Sequence, residues 1–197
     1  MELTAGVLYV AVVLMAGNRA SEVTRRIHAL VKGAPPRKEW LDINETIVEA
    51  IALTRGDAER NGVSLQTPLS RDVPPVPGDR IQLQQVILNL LVNAIEAMRD
   101  VDGRPRELPV DSRKHESSGV LVAVGDSGKG LGSGSLDRVF DAFYTTKPDG
   151  MGMGLAISRS IVAAHGARLW ATATRPKARS LSSPCRPSRR RSCDRRR

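Results

Sequence analysis

A line of amide and carboxylate side chains follows one face of a predicted helix in the middle of this chain. Gln82, Gln85, Asn89, Asn93 and Glu96 recur at steps of three and four residues, which places them one above another. Asparagine disfavours helix interiors, and two asparagines one turn apart would be costly if they were buried without partners. Charged residues would serve a solvated face better, so the stripe indicates a polar site, with a plain solvated face as the alternative.

Two glycine clusters follow the helix, and both could hold an anion. Residues 126–130 come after an apolar alternating run, and residues 150–154 run directly into a helical pattern. Glycine lets backbone amides approach a ligand closely, and the start of a helix offers N–H donors and a positive dipole end to an anion. Each cluster alone also fits an ordinary turn. Their order, with Phe140, Phe143 and residues 145–147 between them, favours a phosphate-bearing ligand.

The elements that must position these residues can be placed from caps and periodicity. Asp79 and Gln82 form a capping-box-like start for the helix with the polar stripe, which we expect to end near Met98. A buried strand over residues 120–124 should deliver Asp126 at its carboxyl end. The helix after the second glycine cluster has an apolar face and a glycine stop, formed by Ile157, Ile161, Val162 and Gly166.

The remaining pattern predicts an α/β two-layer sandwich, with helices on one face of a mixed sheet. A helix capped by Asn44 should end at Asn61 and Gly62, and His165 should be an ordinary helix-end residue beside the dipole. Pro109 argues against a central strand in the polar segment 101–116. The other predictions are a strand at 63–67, a stiff loop at 73–78, a short helix at 136–143 and a last strand at 169–174.

The positive charge lies almost entirely at one end of the chain. Of the formal net charge of +9, a net +8 falls in residues 177–197, so the body is nearly neutral and a nucleic-acid-binding fold is not indicated. Cys185 and Cys193 lie in this tail without histidines at metal-ligand spacing, which argues against a disulfide framework or a zinc site. The apolar run at residues 3–17 is shorter than the roughly 20 residues of a membrane span, and we expect a buried helix or an artificial start there.

Four segments of the chain resemble the ATP-site boxes of bacterial sensor histidine kinases, within the gyrase, histidine kinase and mismatch-repair ATPase superfamily. In chain order they are QVILNLLVNAIEAM, VGDSGKGL, RVFDAFYTTK and GMGMGLAIS. A predicted helix at residues 18–31 resembles the second helix of the dimerisation hairpin that precedes the ATP domain in that family. The resemblance implies a helical segment at 1–34 and an ATP-binding catalytic domain at 38–175. Glycine and proline indicate a linker at 32–38, and low apolar content predicts a basic disordered tail at 176–197.

The resemblance implies a role for each box. Asn93 would ligate Mg²⁺, a hard cation that takes neutral oxygen ligands beside phosphates, and Asn89 would support the metal and phosphates. Asp126 would accept a hydrogen bond from the 6-amino group of adenine. The other implied ATP-binding residues are Gly128 and Gly130 beside the base and Thr146, Lys147, Gly150, Gly152, Gly154 and Leu155 in a lid and its hinge. A solvated Lys147 is the alternative to a phosphate contact.

The resemblance implies phosphoryl transfer rather than hydrolysis. Gyrase-type and mismatch-repair ATPases activate water with a glutamate at the helix position of Asn89, and an amide cannot take a proton at neutral pH. The phosphoacceptor motif, a histidine followed by an acidic residue and then a proline, is missing, and His28 followed by Ala29 does not match it. We therefore expect a Mg-ATP-binding kinase domain that phosphorylates a histidine outside this chain, and assign no residue as catalytic.

Two other functions stay open at this point. One is a noncatalytic ATP-binding or dimerising remnant of such a kinase, and the other is an anti-sigma-type serine kinase, which the lid box disfavours. The implied partners are the histidine-bearing hairpin of the same or a partner kinase, a downstream response regulator and a second copy in a homodimer, in the cytoplasm and without specific nucleic acid. The tail lacks the apolar strand with which the family ends, and our hypothesis is a shifted reading frame there.

Overall fold

The computed structural model describes residues 8–15, 38–115, 119–130, 136, 138–146 and 151–173. In chain order the elements are β1 (Leu8–Met15), β2 (Glu39–Leu41), α1 (Ile43–Arg60), β3 (Val63–Gln66), β4 (Val76–Gly78), α2 (Arg80–Ala97), β5 (Arg106–His115), β6 (Gly119–Asp126), α3 (Gly154–Ala164) and β7 (Arg168–Thr172). The predicted helix at 18–31, most of the linker at 32–38 and the tail at 176–197 lie outside the described residues.

Five strands form one mixed sheet in the order β3-β5-β6-β1-β7. Strands β3 and β5 are parallel, and each other neighbouring pair is antiparallel. The described helices cover one face: α2 packs between α1 and α3 and against β6, and α3 packs against β7. This arrangement is the predicted two-layer sandwich. Strands β2 and β4 form a separate two-stranded ribbon.

The core between the helices and the sheet is aliphatic, as the low aromatic content requires. Its largest fully buried apolar side chains are Ile43, Ile47, Leu91, Met98, Leu108, Val76, Val86, Val110, Val120 and Val162. On the opposite face of the sheet, Ala11, Leu121 and Ala123 form a second buried cluster against Trp170. Strand β6 is buried along its whole length. A strand that is apolar on both faces suits the interior of a sheet, and β6 therefore holds its last residue, Asp126, at the carboxyl end of a central strand.

Aspartate caps start the two long helices. The Asp42 side chain accepts a hydrogen bond from the Asn44 backbone N–H at 2.8 Å, so the cap lies two residues before the predicted one. The Asp79 side chain accepts from the Gln82 backbone N–H at 3.1 Å, which confirms the predicted start of α2. Helix α1 ends as predicted, with Gly62 in the left-handed region at φ 63°.

The prediction against a central strand around Pro109 is wrong, because this residue lies in β5 between β3 and β6. Pro109 pairs with Gln66 of β3, whereas the ladder with β6 begins at Val110. The missing N–H of Pro109 therefore does not interrupt the ladder between β5 and β6. Two smaller predictions are also wrong. The end of the expected stiff loop forms β4, and the described residues between 136 and 143 form turns rather than a helix.

The prediction of a helix in the N-terminal apolar run is wrong for Leu8–Met15, because these residues form strand β1. This strand belongs to the main sheet and not to a helical segment covering residues 1–34. A short apolar run does not distinguish a buried strand from a buried helix by periodicity, and its three valines favour the strand. Within the described residues, no helix is long and apolar enough to cross a membrane.

Candidate functional site

The polar stripe of α2 meets α3 through a relay of hydrogen bonds. The amide nitrogen of Asn93 donates to the amide oxygen of Asn89 at 3.3 Å, and the amide nitrogen of Asn89 donates to the hydroxyl of Ser158 at 3.0 Å. Ser158 is buried and both asparagines are partly buried, so this part of the stripe is not a plain solvated face. The relay fixes the Asn89 amide, with its oxygen toward Asn93 and its nitrogen toward α3.

The start of α3 lies directly against this relay. A Cβ atom added to Gly154 would lie 2.6 Å from the Asn89 amide oxygen, which is closer than real contacts allow. The N-cap residue Met153 makes no side-chain capping hydrogen bond, and the first N–H groups of a helix have no acceptor within the helix itself. The junction of α2 and α3 therefore combines amide oxygens with backbone donors.

A buried carboxylate lies at the end of β6. Asp126 is 5% exposed, and its Oδ1 accepts a hydrogen bond from the Gly128 backbone N–H at 2.8 Å. Burial raises the pKa of this carboxyl to about 6, against the opposing effects of the Gly128 hydrogen bond and the Arg104 charge. A Cβ on Gly128 would lie 2.5 Å from Asp126 Oδ1 and 2.8 Å from the Ala97 carbonyl oxygen. Glycine is thus required between the carboxylate and the end of α2.

The second glycine cluster is tied to the segment before it. The Phe143 N–H donates to the Gly152 carbonyl at 3.0 Å, and both residues have positive φ angles, 65° and 64°. A Cβ on Gly152 would lie 2.6 Å from the carbonyl carbon of Phe143, so the close approach needs glycine. Of the other predicted residues, Gly130 has φ 72°, Thr146 is exposed and Leu155 packs on the core. Lys147 and Gly150 lie outside the described residues.

Three residues that the sequence analysis did not place in the site support it. Ser158 is the last member of the asparagine relay. In the sequence it could have been found from its position one turn after Gly154, on the helix face that carries Ile161 and Val162. Arg104 donates to the Gly128 carbonyl at 2.6 Å, a contact for which the sequence held no signal. His165 is the predicted C-cap of α3.

His165 lies at the predicted helix end, and in addition it is a buried link between two helices. Its ring is 6% exposed; Nε2 accepts from the Asp79 backbone N–H at 3.0 Å, and Nδ1 lies 2.8 Å from the Ile161 carbonyl oxygen. These two contacts require the tautomer that carries its proton on Nδ1. The ring thereby joins the start of α2 to the end of α3.

Comparison with known protein families identifies the domain. Residues 78–187, more than half of the chain, match the family model described as histidine kinase-, DNA gyrase B-, and HSP90-like ATPase. The chain belongs to this ATPase family. Among curated proteins it is 39% identical over 153 residues to sensor protein FixL of Bradyrhizobium diazoefficiens, and 33% identical over 155 residues to sensor histidine kinase TmoS of Ectopseudomonas mendocina. Each alignment covers 78% of this chain, but 30% of FixL and 16% of TmoS.

Solved structures of histidine kinases share the fold. The catalytic domain of histidine kinase ThkA matches with a TM-score of 0.56 and 29% identity, over 64% of this chain and 79% of that one. Full-length ShkA in complex with AMPPNP matches with a TM-score of 0.60 and 22% identity, over 75% of this chain and 33% of that one. These similarities confirm the resemblance to sensor histidine kinases, and the chain corresponds to their ATP-binding catalytic domain.

The residues at the junction of α2 and α3 fit an ATPase of this family that uses Mg²⁺. Within the described residues, no group of three or more His, Cys, Asp or Glu side chains could hold a metal ion. The nearby protein donors are the amide groups of Asn89 and Asn93, which hydrogen-bond each other. Mg²⁺ takes oxygen ligands and is usually held by few protein groups together with nucleotide phosphates and water, so the two amide oxygens are compatible with it.

Proposed function

We propose that this chain binds Mg-ATP and transfers the γ-phosphoryl group to a histidine that lies outside the chain. The observation that carries the proposal is the relay from Asn93 through Asn89 to Ser158, packed against the glycine start of α3. A second, buried polar group, Asp126, lies near the carboxyl end of α2, where Gly128 separates its carboxylate from the Ala97 carbonyl. The two groups suit the two ends of a nucleotide, and the family is one of ATPases.

Asp126 would select adenine. Its carboxylate accepts hydrogen bonds, and the 6-amino group of adenine is a donor, whereas guanine has an acceptor oxygen at that position. Because the carboxylate is 5% exposed, a guanine base would leave two acceptors facing each other away from water. A buried polar group left without a partner costs about 1 to 3 kcal/mol. Gly128 would leave room for the base beside the carboxylate.

Asn93 and Asn89 would hold the phosphate end. Their amide oxygens would take Mg²⁺, and the metal when bound neutralises charge on the phosphate oxygens. The N–H groups at the start of α3 would face the phosphates, because Gly154 allows the approach of α2. By the resemblance to related ATPases, Asn89 would occupy the helix position of their water-activating glutamate, and an amide cannot act as that base. The site therefore favours holding ATP for an external acceptor over hydrolysing it.

The acceptor would be the histidine-bearing hairpin of the same or a partner kinase, in a homodimer or in trans. A response regulator would receive the phosphoryl group next, since one related fold was solved as histidine kinase ThkA in complex with response regulator protein TrrA. We place the domain in the cytoplasm on the ground that its proposed substrate is ATP.

The test combines binding with transfer. The full chain is titrated with Mg-ATP by calorimetry and then incubated with labelled ATP and a kinase-dead sensor kinase that supplies the hairpin histidine. We expect binding and acid-labile label on the acceptor. Asn93→Ala and Asp126→Ala should each abolish binding, and the exposed Gln85→Ala on the same stripe should not. Binding without transfer to any acceptor would favour the noncatalytic remnant, and unchanged affinity in Asn93→Ala or Asp126→Ala would refute the site.

A further inference from the structure

The side chain of Arg104 joins two loops at the adenine end of the proposed site. Arg104 lies between α2 and β5, one residue after Gly103, whose φ of 73° lies in the left-handed region. Its Nη2 donates to the Gly128 carbonyl oxygen at 2.6 Å, across 24 positions of the sequence. Arg104 is partly buried. This contact therefore ties the loop between α2 and β5 to the loop that follows β6.

The backbone of Gly128 lies between a carboxylate and a guanidinium. Its N–H donates to Asp126 Oδ1 at 2.8 Å, and its carbonyl oxygen accepts from Arg104. Hydrogen bonds with one charged partner are shorter and stronger than those between neutral groups. The space is tight, because a Cβ on Gly128 would lie 2.5 Å from Asp126 Oδ1. Arg104 thus holds the residue whose N–H orients the Asp126 carboxylate.

Arg104 also supplies positive charge near the buried carboxyl. Burial raises the pKa of Asp126 to about 6, and the Gly128 hydrogen bond and the Arg104 charge both oppose this increase. Strand β1, which pairs with this end of β6, has no charged residue, and Arg106 on β5 donates to backbone carbonyls instead. The other charged side chains around these loops are exposed, namely Arg99, Asp100, Asp102, Glu107 and Lys129. Among the described residues around Asp126, Arg104 is therefore the side chain whose charge favours the ionised form.

We infer that Arg104 is a positioning residue for base recognition, which holds the Gly128 backbone and thereby keeps the Asp126 carboxylate oriented as an acceptor. It acts through these two residues and does not need to contact the nucleotide. The inference rests on the proposed function, because adenine is the proposed partner of Asp126. A protonated carboxyl carries an O–H donor, which would suit the oxygen of guanine instead. Loss of Arg104 should therefore weaken ATP binding and also relax the discrimination against GTP.

The first test measures the Asp126 carboxyl in the free protein, without nucleotide. Its titration is followed by NMR of the full chain, isotope-labelled at the aspartate carboxyl carbons, with Asp126→Asn to assign the signal. In Arg104→Met the midpoint should move to higher pH, and Arg104→Lys, which retains a positive charge and a donor, should return it toward the wild-type value. Arg99→Gln is the matched control, because it removes an exposed positive charge from the same loop and should not move the midpoint. An unmoved midpoint in Arg104→Met overturns the inference.

The second test measures the affinity of the same variants for Mg-ATP and Mg-GTP by calorimetry, at pH 6.5 and pH 8. At the lower pH, Arg104→Met should bind ATP about three- to tenfold more weakly than the wild type, because more of its Asp126 is protonated and the carboxyl is less well oriented. Its preference for ATP over GTP should fall as well. Both differences should shrink at pH 8, and Arg99→Gln should match the wild type throughout. Wild-type affinity and preference in Arg104→Met at pH 6.5 would refute the role of Arg104.

Failure of the proposed function gives a different result from failure of this inference. If the wild type does not bind Mg-ATP, or if Asp126→Asn binds it as tightly as the wild type, the proposed base site is wrong and the inference fails with it. If Asp126→Asn loses binding while Arg104→Met matches Arg99→Gln in both tests, adenine recognition by Asp126 stands and only the role of Arg104 is wrong.

Discussion

The amide oxygen of Asn89 occupies the space into which a side chain at Gly154 would project. A Cβ atom there would lie 2.6 Å from the oxygen and 3.2 Å from both the carbon and the nitrogen of the amide. Helices α2 and α3 thus meet at a contact that tolerates glycine and no larger residue. The Asn89 amide on α2 and the backbone N–H groups at the start of α3 are the proposed phosphate-binding groups. Both depend on this contact, because they lie on its two sides.

Gly154→Ala should therefore weaken Mg-ATP binding at least tenfold, because the added methyl group displaces the Asn89 amide. Calorimetric titration of the full chain measures the effect. Gly56→Ala is the control: it lies inside α1 with the Arg60 side chain 4.0 Å away as its nearest neighbour. This change should leave ATP affinity unaltered and stabilise the protein by about 0.5 to 1 kcal/mol. Wild-type affinity in Gly154→Ala would contradict the proposed phosphate end.

Removal of the Ser158 hydroxyl should destabilise the protein and weaken Mg-ATP binding. Ser158→Ala leaves the partly buried Asn89 amide without its acceptor on α3, which costs about 1 to 3 kcal/mol. Urea unfolding and ATP titration measure the two effects. Ser160→Ala, on the exposed side of the same helix, loses a bond to the Ala156 carbonyl and should change stability by less than about 0.5 kcal/mol. Equal effects of the two substitutions would argue against the relay.

ATP affinity should fall as the pH is lowered through about 6. Burial raises the pKa of Asp126 to about 6, from the ordinary value of 3.8, and the proposed contact with adenine uses the ionised carboxylate. Affinity should be constant above about pH 7 and should decrease up to tenfold per unit below pH 6. Titrations with Mg-ATP across this range measure it. In Asp126→Asn the affinity should be low and should not follow this titration.

The free protein should show the opposite trend in stability. A carboxyl with a raised pKa in the folded state stabilises that state below its unfolded pKa, and this contribution is lost as the pH rises through about 6. The loss is about 2 to 3 kcal/mol in the free energy of unfolding. Urea unfolding of the wild type and of Asp126→Asn, which carries no ionisable group there, isolates the contribution. If the difference in unfolding free energy between the wild type and Asp126→Asn does not vary with pH, this prediction is wrong.

His165→Ala should cost about 2 to 4 kcal/mol in the free energy of unfolding. The substitution removes the acceptor of the Asp79 N–H and leaves a cavity between α2 and α3. Thermal unfolding measures the loss. Arg168→Ala, three residues further on and exposed, should change the stability by less than about 0.5 kcal/mol. An equally small effect of His165→Ala would show that its ring does not hold the two helices together.

Local patterns predicted the parts of the fold and of the site that depend on neighbouring residues. The Asp79 cap, the stop at Gly62 and the buried strand that ends at Asp126 follow from short-range rules, and the structure has all three. The positions of Asn89 and Asn93 on one face of a helix also follow from spacing alone.

Contacts between distant parts of the chain were not predictable in this way. His165 and Asp79 are 86 positions apart, and nothing near either residue indicates the other. Pro109 argues against a central strand when it is considered alone. The sequence does not show that the ladder with the next strand begins only at Val110. Strand β1 was missed for the same reason, since its partners lie more than one hundred residues away.

The place of β1 in the sheet sets the order in which the domain can be completed during synthesis. Its residues leave the ribosome before both strands that flank it, and β7 ends only at Thr172. At about 5 to 20 residues per second, the apolar segment waits on the order of ten seconds for its second partner. The sheet therefore closes last around a strand that was made before both of its neighbours. Until β6 and β7 have been made, the apolar segment of β1 is exposed and can pair with other strands.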